Sequence, residues 1–393
     1  MTVWVKGVDM MQGTPYWIGF NLVKGIGPVR LQNLLRVFGD VEAAWKASAS
    51  QLRAAGLSEK LTRQLITIRQ DVSLRDTVAA LDRRGIKVLT WEDPCYPERL
   101  RRIPQSPFVI YVQGALTEED DWAVAVVGTR RYSGYGGQVA ENTARELARN
   151  GITVVSGLAR GIDGIAHRCA LEEGGRTIAV LGSGLDRLYP PEHRQLAEKI
   201  CRRGAVISDY PLGTPPDGSN FPPRNRIISG LSRAVVVIEA GFKSGALITA
   251  NYAADQGRDV LAVPGNITSP RSRGTNLLIQ QGAHPLLRTK DIFELLELTQ
   301  FPEQRAARQR LPENPTEALL FQTLGSEPLH VDELSAAVDL PVSEVSSALA
   351  MMELKGLVRK VFGMKYMAVQ EKRVEYQPEQ LDGELKEKGH NHV

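Results

Sequence analysis

The sequence predicts an α/β protein built around a doubly wound, mainly parallel sheet. Two patterns in residues 108–298 predict it. Short β-branched and apolar runs alternate with longer helical stretches, and several runs are apolar at every position, as in strands buried on both faces of a parallel sheet. Most runs are also followed by a glycine-bearing segment that precedes a helix, which is typical of strand-to-helix turns in such domains.

The elements of this extended Rossmann-like domain can be placed in order. Seven runs are predicted as strands: Phe108–Val112, Ala123–Val127, Thr153–Val155, Thr177–Leu181, Ala205–Ile207, Ala234–Ile238 and Asp259–Val263. Four stretches are predicted as helices between them: Gln138–Asn150, Ile165–Glu173, Glu192–Arg202 and Leu247–Gln256. In an open sheet of this kind, ligands bind outside the carboxyl ends of the strands, so a site is expected in the loops found there.

A small helical module is predicted before this domain, in residues 1–75. Its Gly25-Ile26-Gly27 sequence lies between apolar residues and is typical of the turn of a helix-hairpin-helix or SAM-like unit. The N–H groups of such a turn can meet a phosphate, and a purely structural turn fits the same residues equally well. Four prolines predict a linker over residues 76–107: Pro94, Pro97, Pro104 and Pro107.

A winged helix is predicted in residues 316–369, after a polar, proline-bearing linker over residues 299–315. Its helices are predicted at Glu317–Leu324, Asp332–Ala337 and Ser343–Lys355. The last helix has Lys355 as its one basic residue, against Glu344 and Glu353. That charge pattern favours contact with protein, or packing, over contact with DNA.

Charge and cysteine content narrow the function. Lys and Arg number 48 against 45 Asp and Glu, for a net charge of +3, so affinity for nucleic acid must come from where the cations lie. The three cysteines, Cys95, Cys169 and Cys201, are far apart and no Cys/His pair has metal-ligand spacing, so neither a metal nor a cofactor is expected. The absence of a signal peptide or long apolar span predicts a cytoplasmic protein without membrane contact. The charged residues 370–393 predict a disordered tail.

Cations collect in the loops that follow predicted strands: Arg130, Arg131, Arg160, Arg224, Arg226, Lys243, Arg271 and Arg273. Aromatic residues stand among them: Tyr132, Tyr135, Tyr189 and Phe221. Many cations suit several consecutive phosphates, and rings stack on unpaired bases, so the pattern favours single-stranded over duplex nucleic acid. Phe221 is interpreted as an exposed loop aromatic. The alternative places Phe221 in the core and makes the arginines ion-pair partners.

Seven motifs in order resemble the DprA/Smf family of DNA-processing proteins. They are GTRxxSxYG at 128–136, SGLARGID at 156–163, GSGLDxxYP at 182–190, FPPRNRIISGLS at 221–232, KSGALITAN at 243–251, PGN at 264–266 and GTNLLIQQGA at 274–283. The resemblance implies a non-enzymatic recombination mediator that protects incoming single-stranded DNA and loads the RecA recombinase onto it in natural transformation. It also implies the three-part layout predicted above.

The resemblance carries residue roles onto matching positions. It implies that four residues form the DNA pocket, Arg130, Ser156, Phe221 and Arg224, and that three shape it, Gly128, Gly157 and Asn225. The expected DNA-binding set is completed by loop neighbours: Arg131, Arg160, Arg226, Lys243 and Ser244. A homodimer is expected through an apolar patch, Leu277, Leu278 and Ile279. Some relatives carry a lysine where this chain has Pro191, and Arg194 is a candidate to replace it.

Two other functions fit parts of the pattern. The first is a nucleotide-hydrolysing enzyme of the lysine-decarboxylase-like class, but residues 241–251 lack the PGGxGTxxE glutamate, leaving Glu239 and Asp163 as the nearby carboxylates. The second is a transcriptional regulator that binds DNA through the winged helix, which the weakly basic helix argues against. The sequence therefore predicts a binding protein with no catalytic residue.

Overall fold

The computed structural model describes residues 13–296, 315–324, 328–354, 357–361 and 363–368. The chain divides into two compact units, Trp4–Pro302 and the part that begins at Glu303. The first unit contains a nine-stranded sheet with helices on both faces, and the second contains a three-stranded sheet. The predicted α/β class is therefore confirmed, together with the C-terminal winged helix.

The large sheet has the strand order β1-β2-β6-β5-β4-β3-β7-β8-β9. Its strands are β1 Ile86–Thr90, β2 Val109–Gly114, β3 Ala123–Val127, β4 Thr153–Ser156, β5 Thr177–Val180, β6 Ala205–Ser208, β7 Ala234–Val237, β8 Asp259–Ala262 and β9 His284–Pro285. From β6 to β9 all neighbours are parallel, whereas β1 and β2 join antiparallel at one edge. Strands β3 to β7 are buried at every position, which is why those runs read as continuously apolar.

The helices of this unit are α1 Thr14–Leu22, α2 Pro28–Phe38, α3 Val41–Lys46, α4 Ala49–Ala54, α5 Glu59–Asp71, α6 Leu74–Asp82, α7 Glu98–Arg101, α8 Gly134–Arg149, α9 Ile162–Glu172, α10 Arg194–Arg203, α11 Phe221–Leu231, α12 Gly245–Asp255, α13 Arg273–Gln280 and α14 Lys290–Leu295. Side-chain caps fix several of the starts. Ser133 accepts from Gly136 N–H and begins α8 four residues earlier than its apolar pattern predicts.

The N-terminal helices share a core with the sheet. The ring of Trp17 in α1 lies 6.2 Å from that of Phe108, and Tyr111 of β2 donates from its hydroxyl to Asn21 at 2.9 Å. The same hydrophobic cluster runs from α1 through α5 into β2 and β6. The helical module therefore folds as part of one compact unit with the α/β domain. Packing continues across residue 75, where the sequence predicted the end of the module.

The predicted linker over residues 76–107 is wrong. It holds the end of α6, all of β1 and α7, with Tyr96, Leu100 and Ile103 buried beneath the sheet. Strand β1 alternates buried and exposed positions over five residues, a pattern too short to stand out among the prolines. Those prolines lie in turns or at the start of α7, where a missing N–H leaves no bond unmade.

Residues 221–231 form a helix, α11, in place of the predicted loop. Pro222 and Pro223 occupy its first turn, where proline is well tolerated because those N–H groups have no partner within the helix. Phe221 is accordingly the first residue of a helix and is half-buried. Its interpretation as an exposed loop aromatic is corrected.

The second unit has the order of a winged helix. Its helices are α15 Pro315–Thr323, α16 Val331–Val338 and α17 Val342–Leu354, and its strands are β10 Leu329–His330, β11 Val358–Lys360 and β12 Lys365–Ala368. Its core gathers Leu320, Leu334 and Leu349. Lys355, the tail at 370–393 and nearly all of the predicted linker at 299–315 lie outside the described residues. Among the helices described, none has the length and apolarity needed to cross a membrane.

Candidate nucleic-acid interface

A cleft opens at the point where the chain changes the side of the sheet to which it adds strands. The chain leaves β3 to build β4, β5 and β6 on one side, and returns to place β7 on the other side of β3. The carboxyl ends of two such strands frame a crevice, the usual ligand position in an open α/β sheet. Here that crevice is a cleft of about 780 Å³. Its walls come from the loops after β3, β4 and β7 and from the starts of α11 and α12.

The rim of this cleft carries exposed cations that have no carboxylate partner among the described residues. Arg130 and Arg131 follow β3, Lys243 precedes α12, and all three are exposed. None of them forms an ion pair with a carboxylate in the described part of the chain. The nearby Arg271 is also exposed and donates from Nε to the carbonyl of Arg131 at 3.0 Å. An anion entering the cleft therefore meets cations free to bind it.

The floor is built on Arg224, which is only 5% exposed. Its guanidinium donates to the carbonyl of Gly157 at 2.8 Å and to that of Val180. Burial lowers the pKa of Arg224 to about 10, and the buried carboxylate of Asp163 acts in the opposite direction. Arg224 was predicted as a direct DNA contact. The structure places it beneath the surface, where its own chain satisfies most of its donors.

Gly157 and Gly128 permit close approach around this arginine. A Cβ on Gly157 would lie 2.7 Å from Nη2 of Arg224, and one on Gly128 would lie 2.7 Å from Ile162. Ser156 is fully buried and donates from its hydroxyl to the carbonyl of Val126 at 2.7 Å. Gly128 lines the cleft and Gly157 makes room for Arg224, whereas Ser156 lies below it.

Phe221 links the floor to the rim. The guanidinium carbons of Arg130 and Arg224 lie 5.7 and 5.8 Å from its ring centroid. The ring of Tyr189 lies 6.0 Å away, and Arg160 lies 5.7 Å from the Tyr189 centroid. Arg160 is exposed but already ion-paired with Glu192. Cations and rings therefore alternate along this side, which allows stacking and charge contact together.

The start of α12 closes the cleft. Ser244 accepts from Ala246 N–H at 3.3 Å as the helix cap. Asn225 donates to the carbonyl of Gly245 at 3.1 Å and ties α11 to α12. Thr129, Gly245 and Thr249 also line the cleft and were not predicted. Their position beside predicted residues, at the end of β3 and in the first turns of α12, was the available signal.

Arg226 lies outside this cleft. It forms an ion pair with Asp209 at 2.7 Å, and both side chains are almost buried. It lines a second cleft of about 750 Å³ that faces the Gly25-Ile26-Gly27 turn. The structure therefore separates Arg226 from the other predicted cations, as the ion-pair alternative expected.

Several other predicted residues lie off the cleft. Tyr132, Tyr135 and Arg273 are exposed but do not line it. Pro191 and Arg194 are exposed around the start of α10 and do not line it either. The structure thus gives Arg194 no position in the cleft from which to replace the lysine of some relatives.

The two carboxylates considered as catalytic groups already accept hydrogen bonds from backbone N–H groups. Asp163 accepts from the N–H groups of Gly157 and Ala159 at 3.2 and 3.3 Å. Glu239 is buried and accepts from both the N–H and the hydroxyl of Ser133, at 2.8 and 2.5 Å. Burial raises the pKa of Asp163, while Arg224 pulls it down. Both carboxylates hold loops in place at the edge of the cleft.

The apolar patch predicted for dimer contact is partly internal. Leu278 is 8% exposed and packs into the core under β7 and β8. Ile279 is half-buried against the same core, and Leu277 is half-buried. Leu278 is therefore corrected from a surface contact to a core residue, because α13 turns it toward the sheet.

This arrangement defines a class: an α/β protein with a cleft rimmed by exposed cations at the switch point of its sheet, joined to a winged helix. Comparison with known proteins identifies the family. Residues 87–297 match the model of DNA recombination-mediator protein A, and residues 304–364 match the DprA winged helix domain. The chain therefore belongs to the DNA recombination-mediator protein A family, also called DprA/Smf, as its motifs predicted.

Relatives extend over most of the chain. Protein Smf of Synechocystis is 36% identical over 388 residues, covering 89% of this chain and 98% of that protein. DNA processing protein DprA of Bacillus subtilis is 38% identical over 261 residues, covering 64% and 88%. The crystal structure of DNA processing protein A from Streptococcus pneumoniae aligns with a TM-score of 0.63 at 33% identity, covering 72% of this chain and 97% of that one.

Proposed function

We propose that the protein binds single-stranded DNA in the switch-point cleft and delivers it to a RecA recombinase. The observation that carries this is the pairing of free cations with a ring: Arg130, Arg131 and Lys243 lack carboxylate partners within the described chain, and Arg130 lies over Phe221. Several cations match several phosphates. A ring at the cleft wall can stack on a base only if that base is unpaired.

A salt titration tests this proposal. Fluorescence anisotropy would compare a labelled single strand with the matching duplex, using the full chain. We expect tighter binding of the single strand. The Arg130→Ala/Lys243→Ala double variant should lower the salt slope by about 1.4, because each phosphate contact to a single strand contributes about 0.7.

A matched control comes from Arg63→Ala. Arg63 is 76% exposed on α5, where its nearest carboxylate is Glu59 at 3.7 Å. That control should leave the slope unchanged. Equal binding of single strand and duplex, or an unchanged slope in the double variant, would refute the proposal.

Delivery to the recombinase is tested separately. We expect the protein to accelerate RecA filament formation on a strand already covered by single-strand-binding protein, measured as RecA ATP hydrolysis. Such a role places the protein in the cytoplasm with its DNA. The double variant should lose this acceleration, and retention would detach delivery from the cleft.

We further propose that the protein is not an enzyme. Asp163 and Glu239 support this, since backbone N–H groups or Ser133 already hold their carboxylate oxygens. A general acid or base needs access to the proton it transfers. Release of a base or phosphate from nucleotides during incubation would contradict this.

The winged helix is proposed to contact protein. Helix α17 contains no Lys or Arg, and it exposes Glu344, Met351 and Glu353. An acidic and apolar surface repels phosphate and suits a protein partner. Deleting residues from 315 onward should therefore leave the affinity for single-stranded DNA nearly unchanged.

A homodimer remains part of the proposal, through the exposed side of α13. Leu277 is the appropriate probe, because a charge at the buried Leu278 would disturb the fold itself. Leu277→Glu should give a folded monomer in light scattering. A dimer that survives this change would move the interface elsewhere.

A further inference from the structure

Four arginines gather at the amino edge of the sheet, opposite the cleft. Arg233 directly precedes β7 and Arg258 directly precedes β8, and these neighbouring parallel strands bring the two side by side. Arg99 lies in α7 and Arg102 is the residue that ends it. We call Arg99, Arg102, Arg233 and Arg258 the amino-edge cluster.

Backbone carbonyls hold two members of this cluster. Arg258 donates from Nη2 to the carbonyl of Arg99 at 3.3 Å, and Arg233 donates from Nε to the carbonyl of Asp121 at 2.9 Å. The guanidinium of Arg233 also lies 3.5 Å over the ring of Trp122. These contacts fix the guanidinium positions without neutralising their charge.

Carboxylates only partly balance the cluster. Arg99, Arg233 and Arg258 form no ion pair with a carboxylate in the described ranges, although Asp121 acts electrostatically on Arg99 and Arg233. Arg102 is paired with Glu98 at 2.9 Å, in an exposed contact that contributes little. Nε of both Arg99 and Arg258 is buried with no hydrogen-bond partner in the described ranges, so a ligand would meet the terminal nitrogens of these half-buried side chains.

Like charges held this close repel one another. Burial lowers the pKa of Arg258, and Arg99 and Arg102 lower it further. Burial likewise lowers the pKa of Arg233, with Arg99 and Arg258 adding to the shift and Asp121 opposing it. A fold that keeps three half-buried arginines together gains most from a bound anion, since the anion supplies the missing counter-charge and acceptors.

We propose that the amino-edge cluster is a second phosphate-binding site, which holds a further stretch of the single strand bound in the cleft. The planar guanidinium fork matches two oxygens of one phosphate. The inference rests on the proposed function, because it takes the same strand as ligand. It predicts that long strands engage both edges of the sheet and short strands only the cleft.

The test measures anisotropy against salt concentration for a strand of about 8 nucleotides, which is within the usual span of one binding groove, and for one of about 40, which is well beyond it. The variant is Arg102→Gln/Arg258→Gln in the full chain. For the long strand, its salt slope should fall by more than about 0.7 relative to the unchanged protein, because Arg258 supplies a full contact and Arg102 a partial one that must displace Glu98. For the short strand, affinity and slope should stay the same.

Three further variants control the measurement. Arg258→Lys keeps the charge and should keep the slope. Arg202→Gln removes an exposed arginine at the end of α10. This helix leads into β6, which starts at the same edge of the sheet but lies three strands from β3. This variant should therefore leave the salt slope and the affinity unchanged. Arg102→Gln alone is safe for folding because Arg102 is exposed, and it should lower the long-strand slope by less than about 0.7, because a phosphate must displace Glu98 from Arg102.

The two proposals fail in different ways. If Arg130→Ala weakens both strands while the amino-edge variants leave the long-strand slope unchanged, the second site is refuted and the cleft stands. If the unchanged protein binds neither strand, both proposals fall. If Arg202→Gln lowers the slope as much as Arg102→Gln, the effect is general surface charge and the second site is also refuted.

Discussion

The rim and the floor of the cleft use the same residue type for different purposes. On the rim, Arg130 is exposed, has no carboxylate partner in the described chain and lies over Phe221. On the floor, Arg224 lies 5.8 Å from the centroid of that ring but is buried and donates to two backbone carbonyls. An arginine whose donors are mostly filled positions the chain, whereas an arginine with free donors is available to a ligand.

The difference depends on what faces each guanidinium. The loop after β4 and the last residue of β5 present carbonyl oxygens to Arg224, and Asp163 supplies a buried negative charge nearby. The loop after β3 turns Arg130 outward instead. Arg224 therefore serves the stability of the fold and Arg130 is available for binding, and the two roles can be tested separately.

The largest expected effect is on the floor. Arg224→Ala removes the hydrogen bonds from Arg224 to the carbonyls of Gly157 and Val180, and it removes a cation that acts electrostatically on the buried Asp163. Leaving a buried polar group unsatisfied costs about 1–3 kcal/mol, so the free energy of unfolding in urea should fall by about 3 kcal/mol or more for the two carbonyls together. Arg130→Ala should change it by no more than about 0.5 kcal/mol. Similar losses in both variants would remove the distinction between rim and floor.

A pH effect of nearly the same size is expected in α9, beneath the floor. His167 is 0% exposed and its Nδ1 lies 2.7 Å from the hydroxyl of Thr177. That hydroxyl donates to the carbonyl of Val154, so Nδ1 must carry the proton. Burial, followed by nearby His193 and arginines, lowers the pKa of His167 to about 3.

Because the folded pKa is below the unfolded value, this contribution is complete above pH 6.5 and is lost as the pH falls toward the folded pKa. The loss is about 1.4 kcal/mol per pH unit, or about 3 kcal/mol by pH 4. His167→Leu should therefore lose less stability than the unchanged protein between pH 7 and pH 4, in matched urea titrations. Parallel pH profiles would show that His167 is protonated or solvated in the folded state.

Most of the fold was predictable because burial on both faces leaves a clear record in sequence. Strands β3 to β8 were placed within about two residues from apolar runs. Strand β1 was missed because its five residues lie among prolines, and β9 because two residues carry no period. Helix α11 was missed because Phe221 and its neighbours were interpreted as part of a loop, although the first turn of a helix accepts Pro222 and Pro223.

The site was predictable as a location more than as a list of contacts. The rule that ligands bind at the carboxyl edge correctly brought together the loops after β3, β4 and β7. Sequence alone could not show which cations meet internal oxygens. In the folded chain, Arg226 forms an ion pair with Asp209 and Arg160 forms one with Glu192. The hydroxyl of Ser156 donates to the carbonyl of Val126. Each of those partners lies at least 17 residues away, and only the folded chain brings them near.

A medium effect is expected at the ring between rim and floor. Phe221→Leu keeps an apolar side chain at the start of α11 but removes the stacking face. Affinity for single-stranded DNA should fall by about 1–3 kcal/mol, the usual contribution of one stacked base. Tyr135→Leu is the matched control, because Tyr135 is an exposed aromatic that does not line the cleft. Equal losses of affinity in both variants would indicate nonspecific contact with aromatic side chains and would argue against a specific stack on Phe221.

The smallest effect compares Arg130 on the rim with Arg160, which lies beside Tyr189 and does not line the cleft. Arg160 is exposed like Arg130, but Glu192 holds it in an ion pair, which a phosphate would have to displace. Arg160→Ala should therefore lower the salt slope for single-stranded DNA by less than the roughly 0.7 expected for Arg130→Ala. Glu192→Gln frees Arg160 and should raise the slope toward one further contact. If Glu192→Gln instead leaves both slope and affinity unchanged, Arg160 does not reach the strand, and the binding surface ends at Phe221.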